Sequence, residues 1–478
     1  MDNKEQKDKK EQKGPDFSFE KKFSFDAWDD VQSKTAYDYC ESYKKFLTGA
    51  KTERLSVRFA RALAEDKGFA RLEHVGASSV ANFPAPLYSV NRDRALILFA
   101  PGKKSIRQGL RLILAHIDSP RLDLKVRPVY ESEHIAFFKT HYYGGIKKYQ
   151  WTAMPLAMYG TVVKADGKVI EIALGDDPAD PIFMISDLLP HLDKLQSEKK
   201  LDDAIPAETL NILVSSTGTR NKDDKEPVKK QLLKLLNEKY GITEEDFVSA
   251  NLEIVPQGAA RDLGFDRSMV AAYGHDDRVS AYTALTALLD SGGREYGSLV
   301  VLVDREEIGS EGVTGAMSNF IFDFVSELIY LETGSHNENY TRDALFMSKA
   351  ISADVTSAYD PDYAEVYDSL NAARLGAGVS IETYTGWGGK YSASEAGAEF
   401  TAMVRRIFND AKVNWQTGTL GKVDIGGGGT IAKHIAQMNM DVIDIGVPLL
   451  SMHAPFEIAS KADIYSAYLA YKAFFEAK

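Results

Sequence analysis

Along this chain the apolar positions keep two rhythms. Tyr39, Cys40, Tyr43, Phe46 and Leu47, and then Leu55, Phe59 and Leu63, recur at the three- and four-residue spacing of helices that bury one face, the second stopping near Gly68. "ALILFA" (95–100) and "LRLILA" (110–115) are short continuous apolar runs, the pattern of strands covered on both faces. From about residue 129 the runs shorten and begin to alternate. "MYGTVVKADGKVIEIAL" (158–174) carries an Asp-Gly pair at 166–167 and predicts a hairpin. A charged loop, "TGTRNKDDKEP" (217–227), leads into a helix carrying Leu232, Leu233 and Leu236 that ends near Gly241. From about 257 strands and helices alternate again, through "RVSAYTALTALL" (278–289), "LVVLV" (299–303) and "VIDIGVP" (442–448). The expected architecture is an α/β domain in two parts, 18–128 and 257–478, interrupted by a smaller β-rich insertion at 129–256.

Composition narrows the function classes. The 478 residues are 44% hydrophobic and 26% charged, ordinary globular values. Asp and Glu outnumber Lys and Arg, 69 to 57, and a net charge of −12 disfavours nucleic acid and anionic membrane surfaces as partners. One cysteine, Cys40, excludes an internal disulfide framework and a thiolate-built zinc site, and its helical setting predicts burial. The amino-terminal "MDNKEQKDKKEQKGPDF" has no apolar core, so residues 1–17 are expected to be a solvated, disordered tail rather than a signal peptide. No run approaches the roughly 18 apolar residues that span a bilayer. A soluble, cytoplasmic protein is the simplest expectation.

Ligands of open α/β sheets collect at the carboxyl ends of the strands. "LRLILAHIDSP" ends in His116 and Asp118, "LVVLVDREE" in Glu306 and Glu307, "AISADV" in Asp354, and "VIDIGVPLLSMHAP" leads to His453. Asp276, in "AAYGHDDRVSAY", stands just before a helix. Each has an ordinary structural alternative: a satisfied core histidine for His116, a helix N-cap for Asp276, a loop cap for Asp354, a turn residue for His453. Their shared placement argues for chemistry instead. Imidazoles and carboxylates without thiolates suit zinc, with cobalt or manganese as substitutes. Crowded carboxylates raise each other's pKa unless positive charge lies between them. Two cations about 3.5–4 Å apart, bridged by one carboxylate, would supply that charge and let one glutamate bind metal while its neighbour remains a base.

The segments "AHIDSP", "HDDRVSAY", "DREEIGSEG", "SADV", "GGGGTIAKHIA" and "DIGVPLLSMHAPFE" resemble, in order, the motifs of the aspartyl aminopeptidase (aminopeptidase I) family of zinc metallopeptidases. The resemblance runs from roughly residue 20 to 478. It implies an α/β/α catalytic domain with a mixed sheet and an inserted dimerisation domain. His116 and Asp354 resemble the terminal ligands of one zinc, Glu307 and His453 those of the other, and Asp276 the bridge. Glu306 matches the general base and Asp118 the acid that orients the first histidine. Asp277 stands where the family usually carries asparagine. The glycines at 426–429, Gly428 among them, are not followed by the Lys-Ser/Thr of a phosphate loop; the resemblance implies that they approach bound peptide.

The resemblance further implies tetrahedral dodecamers built from dimers, and a histidine reaching a neighbour's site from the insertion. "MISDLLPHL" (184–192) offers His191 for that role. It also implies a preference for acidic amino-terminal residues through a lysine, for which Lys390 in "GWGGKYSASEAG" is the candidate, although Ser392 stands where asparagine is expected. The expected activity is removal of amino-terminal residues from peptides by a dinuclear zinc site. The alternatives are a deacylase or carboxypeptidase on the same scaffold, a glycosidase using Glu306 and Glu307, and a non-catalytic assembly protein retaining the fold. Adjacent residues on one loop fit poorly with glycosidase carboxylates about 5 Å or more apart on opposite faces of a sugar.

Overall fold

A computed structural model describes residues 17–19, 21–72 and 85–478; of the tail expected at 1–17, all but Phe17 lies outside them. A nine-stranded mixed sheet forms the backbone of the molecule. From one edge its strands run Ala70–Arg71, Leu87–Asn91, Ala95–Ala100, Gly297–Val303, Leu110–His116, Lys349–Ser352, Asp441–Gly446, Val379–Glu382 and Trp415–Thr417. Gly297–Val303 pairs parallel with Leu110–His116, which pairs parallel with Lys349–Ser352, and that strand with Asp441–Gly446. The "ALILFA" run forms the antiparallel partner of Gly297–Val303.

The continuous apolar runs are explained by helices on both faces. Side chains alternate along a strand, so Ile113, Ala115, Val300 and Leu302 enter one core and Leu112, Leu114, Leu299, Val301 and Val303 the other. The first core is closed by the helices Asp30–Gly49, Glu53–Asp66, His275–Asp290 and Lys461–Glu476, through Tyr43, Phe46, Val57, Leu285 and Phe474. The second is closed by Phe320–Thr333, through Phe324, Val325 and Leu328. Cys40 is fully buried on the first of these helices.

Between the first and second halves of this sheet, the chain builds a separate antiparallel sheet of six strands. Their order is Val169–Leu174, Leu156–Val163, Ala250–Pro256, Arg121–Ser132, Ile135–Tyr143 and Ile212–Ser215. The hairpin predicted at 158–174 is its Leu156–Val163/Val169–Leu174 pair. The helix Pro227–Tyr240, with proline in its first turn and left-handed Gly241 as its cap, covers one face through Val228 and Leu232. Trp151, Phe138 and Ile254 fill this third core.

The two sheets meet near the carboxyl end of Leu110–His116. Four residues beyond His116 the chain reaches Pro120, and Arg121 opens the long strand of the inserted sheet. The adjacent strand Ile135–Tyr143 therefore ends beside the same strand ends that the sequence marks as chemically active.

Candidate metal centre

Asp276 lies at the middle of the cluster. The chain leaves helical geometry at Asp276 and Asp277, after left-handed Gly274, and the Asp276 side chain caps nothing. It is aimed between two imidazoles instead. Asp276 Oδ1 lies 3.1 Å from His116 Nε2, and Asp276 Oδ2 lies 3.2 Å from His453 Nε2. Asp354 Oδ1 is 3.7 Å from His116 Nε2, and Glu307 Oε1 is 3.5 Å from His453 Nε2. The five residues proposed as ligands thus converge, two on each side of a shared carboxylate.

Apart from the two histidine rings, several buried oxygens here have no hydrogen-bond partner: Asp276 Oδ1, Asp277 Oδ1 and Glu307 Oε1. Potential ligand atoms of His116, Asp276 and Glu307 lie within 4.8 Å of one another, as do those of His116, Asp277 and Asp354. Such a set of mutually facing lone pairs, with no ammonium or guanidinium among them, fits divalent cations of the zinc type. Asp277, which the resemblance leaves unassigned, is part of it: one oxygen accepts the His116 backbone N–H at 3.3 Å and the other is buried without a partner.

The electrostatics follow from burying this much negative charge. Burial, and then the neighbouring carboxylates, push Glu307 and Asp277 well above the usual range. Burial also drives Glu306 up to about 8, against the pull of His116. Burial favours a neutral His453, but Glu307 and Asp276 raise it to about 11. In the chain alone the imidazolium rings act as counter-ions; a bound cation takes over that role.

Each histidine is aimed by a carbonyl. His116 Nδ1 lies 3.0 Å from the Asp118 carbonyl oxygen, and His453 Nδ1 lies 2.8 Å from that of Gly145. An Nδ1–H donated to these carbonyls leaves each Nε2 lone pair facing the cluster. The His453 backbone, in the left-handed region at φ +65°, donates its N–H to Glu457 Oε1 at 2.7 Å. The second Glu457 oxygen accepts the Asp276 N–H at 3.0 Å, so one buried carboxylate fixes two of the five residues. Asp118 performs the same office for the glutamate loop, accepting the backbone N–H groups of Glu306 and Glu307, both at 3.2 Å.

The inserted sheet reaches this centre too. Tyr143 donates its hydroxyl to Asp118 Oδ2 at 2.8 Å. A Cβ on Gly144, held at φ +71°, would lie 3.0 Å from Glu307 Oε2. Sequence reasoning missed Tyr143, Gly144, Gly145 and Glu457. "HYYGG" belongs to no strand-end pattern, and its one signal is a glycine pair following an aromatic strand. Glu457 stands four residues after His453 in a quoted motif and received no role.

The substrate-side candidates are more dispersed. Gly428 lies in a short strand, Gly427–Gly428, paired with Gly386–Trp387. Two residues on, Thr430 Oγ1 donates to Asp444 Oδ1 at 2.7 Å, and Asp444 is buried near enough to Asp354 to feel its charge. Lys390 is exposed on the adjoining loop, its Nζ 2.5 Å from Glu395 Oε1 and 4.0 Å from the centre of the Tyr384 ring. His191 sits in an exposed turn, and no hydrogen bond or ion pair joins it to the centre of its own chain.

Comparison with known proteins supplies independent information. The model of the aminopeptidase I zinc metalloprotease family (M18) matches residues 46–475. A probable M18 family aminopeptidase 1 of Clostridium acetobutylicum is 46% identical over 456 residues, 95% of this chain and 98% of the relative. The crystal structure of an M18 family aminopeptidase from Thermotoga maritima superposes with a TM-score of 0.91 at 45% identity, covering 96% of this chain and all of the other. The mApe1 dodecamer of S. cerevisiae shares the fold, with a TM-score of 0.73 at 20% identity over 93% of this chain and 97% of that one.

Proposed function

This chain belongs to the M18 family of zinc aminopeptidases, and from that premise we propose that it cleaves amino-terminal residues from peptides at a two-metal site with Glu306 as general base. His116 and Asp354 would hold one cation, Glu307 and His453 the other, and Asp276 both. The observation that carries this reading is the Asp276 carboxylate, with one oxygen 3.1 Å from His116 Nε2 and the other 3.2 Å from His453 Nε2.

Divalent zinc supplies Lewis acidity, polarising the scissile carbonyl and making water nucleophilic near neutral pH. The chain's own residues do the rest. No hydrogen bond or ion pair among the described residues engages the Glu306 carboxylate, while its backbone N–H is fixed by Asp118. Glu306 is thus free to take the proton from water and return it to the leaving amine. Glu307, its oxygen aimed at the His453 side, serves as a ligand instead. Asp118 and Glu457 keep the donors aligned.

The acidic preference rests on Lys390. A substrate carboxylate would have to displace Glu395 from the ammonium, and the contact formed would be charge-assisted. Self-association has support in the insertion, where Leu188, Leu189, Leu192, Leu195 and Leu201 are all at least half exposed. We assign residues 129–256 as the dimerisation segment, and His191 as the residue that would reach a partner's site. The dodecamer seen for mApe1 is the assembly this predicts.

The test is metal content and turnover measured together. Purified protein should hold up to two zinc ions per chain and hydrolyse free-amino dipeptides. It should spare amino-blocked ones and lose activity to a chelator, with zinc, cobalt or manganese restoring it. Preferential cleavage of blocked substrates would replace this reading with a deacylase. Comparing kcat/KM for Asp- or Glu-peptides with that for Leu-peptides, in wild type and Lys390→Ala, decides the specificity.

A further inference from the structure

Tyr143 is buried at the last position of the strand Ile135–Tyr143, in the inserted sheet rather than in the sheet that carries the ligands. Its hydroxyl donates to Asp118 Oδ2 at 2.8 Å. Asp118 in turn accepts the N–H groups of Glu306 and Glu307, and its carbonyl orients His116. One phenol therefore bears on a carboxylate that positions two residues of the centre, in a residue whose carbonyl orients a third.

The ring of Tyr143 is itself held. The Arg121 guanidinium lies 3.9 Å from its centroid, and Arg121 Nη1 is 3.5 Å from Glu53 Oε2. Glu53, fully buried in the first turn of Glu53–Asp66, also pairs with Arg94, whose Nε lies 2.9 Å from Asp304 Oδ2. Asp304 accepts the Arg305 N–H at 2.9 Å and the Thr314 hydroxyl at 2.8 Å, fixing the start of the segment that holds Glu306 and Glu307. The charges Arg121, Glu53, Arg94 and Asp304 thus run from the Tyr143 ring to the glutamate loop, behind Asp118.

We propose that Tyr143 is a positioning residue for the metal centre, acting through Asp118, so that the inserted sheet and the ligand set are held in one geometry. The inference rests on the two-metal reading above. Packing alone does not require the hydroxyl: a phenylalanine ring would keep the stack on Arg121 and the place in the core. Only the bond to Asp118 would go, leaving a buried carboxylate oxygen with one donor fewer.

The experiment compares wild type, Tyr143→Phe and, as a control on an exposed neighbour of the same strand, Tyr142→Phe. Zinc affinity is measured by competition with a chromogenic chelator, kcat and KM with a free-amino dipeptide, and Tm on metal-free protein. Groups that hold a metal's ligands are commonly worth 10- to 100-fold in affinity or activity. For a residue one bond further out, Tyr143→Phe should weaken zinc binding about tenfold and lower kcat with KM nearly constant. The metal-free Tm should fall only by the small amount expected for one lost buried hydrogen bond, far less than zinc affinity and kcat, and Tyr142→Phe should match wild type throughout. Zinc affinity and kcat within twofold of wild type in Tyr143→Phe would overturn the inference alone. So would a metal-free Tm that falls in step with them, since a purely structural role predicts that. Wild-type protein that binds no zinc would overturn the two-metal reading, and this inference with it.

Discussion

Glu306 and Glu307 are adjacent in sequence yet meet different neighbours, and that difference can be read out. Glu306→Gln should retain the wild-type metal content while kcat falls by about 10²- to 10⁴-fold, the usual contribution of a general base. Glu307→Ala should lose metal as well as turnover. A base works only when deprotonated, so kcat/KM should be lost as pH falls through the Glu306 pKa and be full above it. Burial and neighbouring acids place that pKa at about 8 in the chain alone, and nearby cations draw it lower, so the limb should lie below 8. His275 gives a stability prediction of its own. The ring is fully buried, with Tyr43 at 2.8 Å and the Val270 carbonyl at 3.2 Å, and burial holds its pKa down to about 3. The folded state therefore resists a proton that the unfolded chain accepts below about pH 6.5. Stability of metal-free protein should fall as pH drops from about 6.5 toward 3, by up to about 1.4 kcal/mol per pH unit from this group. Denaturant melts across that range should show a shallower slope in His275→Gln; an identical slope would remove His275 as the cause.

At the scale of elements, strand ends and strand contacts carry the centre. Gly144 closes the Ile135–Tyr143 strand at φ +71° with Glu307 against it. Gly144→Ala should therefore push Glu307 aside, lowering metal content and kcat with little change in the far-ultraviolet circular dichroism of the sheets; full metal occupancy would contradict the contact. The buried runs 95–100, 110–115 and 299–303 were legible because strands covered on both faces have no choice of residue type, and the hairpin at 158–174 because an Asp-Gly pair separates two alternating runs. His116, Asp118, Glu306, Glu307 and Asp354 could be gathered on paper because each follows such a run or its motif. Tyr143, Gly145 and Glu53 could not. They reach the centre through the meeting of two sheets and through an ion-pair chain, and no local spacing records which distant strand will end beside which. Lys390 was legible as a lysine in a glycine-rich loop, but its partner Glu395 emerged only from the turn between them.

For the whole molecule, the exposed leucines of the 188–201 segment set the expectation. Light scattering or native mass spectrometry should find a multiple of the 52.8-kDa chain. Leu192→Glu combined with Leu195→Glu should reduce it, because two charges would be buried in an apolar contact. A monomer at micromolar concentration would defeat the assembly assignment. No helix among the described residues is long and apolar enough to cross a membrane. The order of the ligands along the chain has a consequence during synthesis. His116 ends an early strand, whereas His453 follows the last strand of the nine-stranded sheet, so a ribosome delivers one imidazole of the metal centre long before the other. The early carboxylates can attract a cation, but the shared Asp276 has no second imidazole to face until that whole sheet has been made. On the two-metal reading, a nascent chain would be inert toward its own and its neighbours' amino termini, and proteolytic power would arrive only with the closing of the fold.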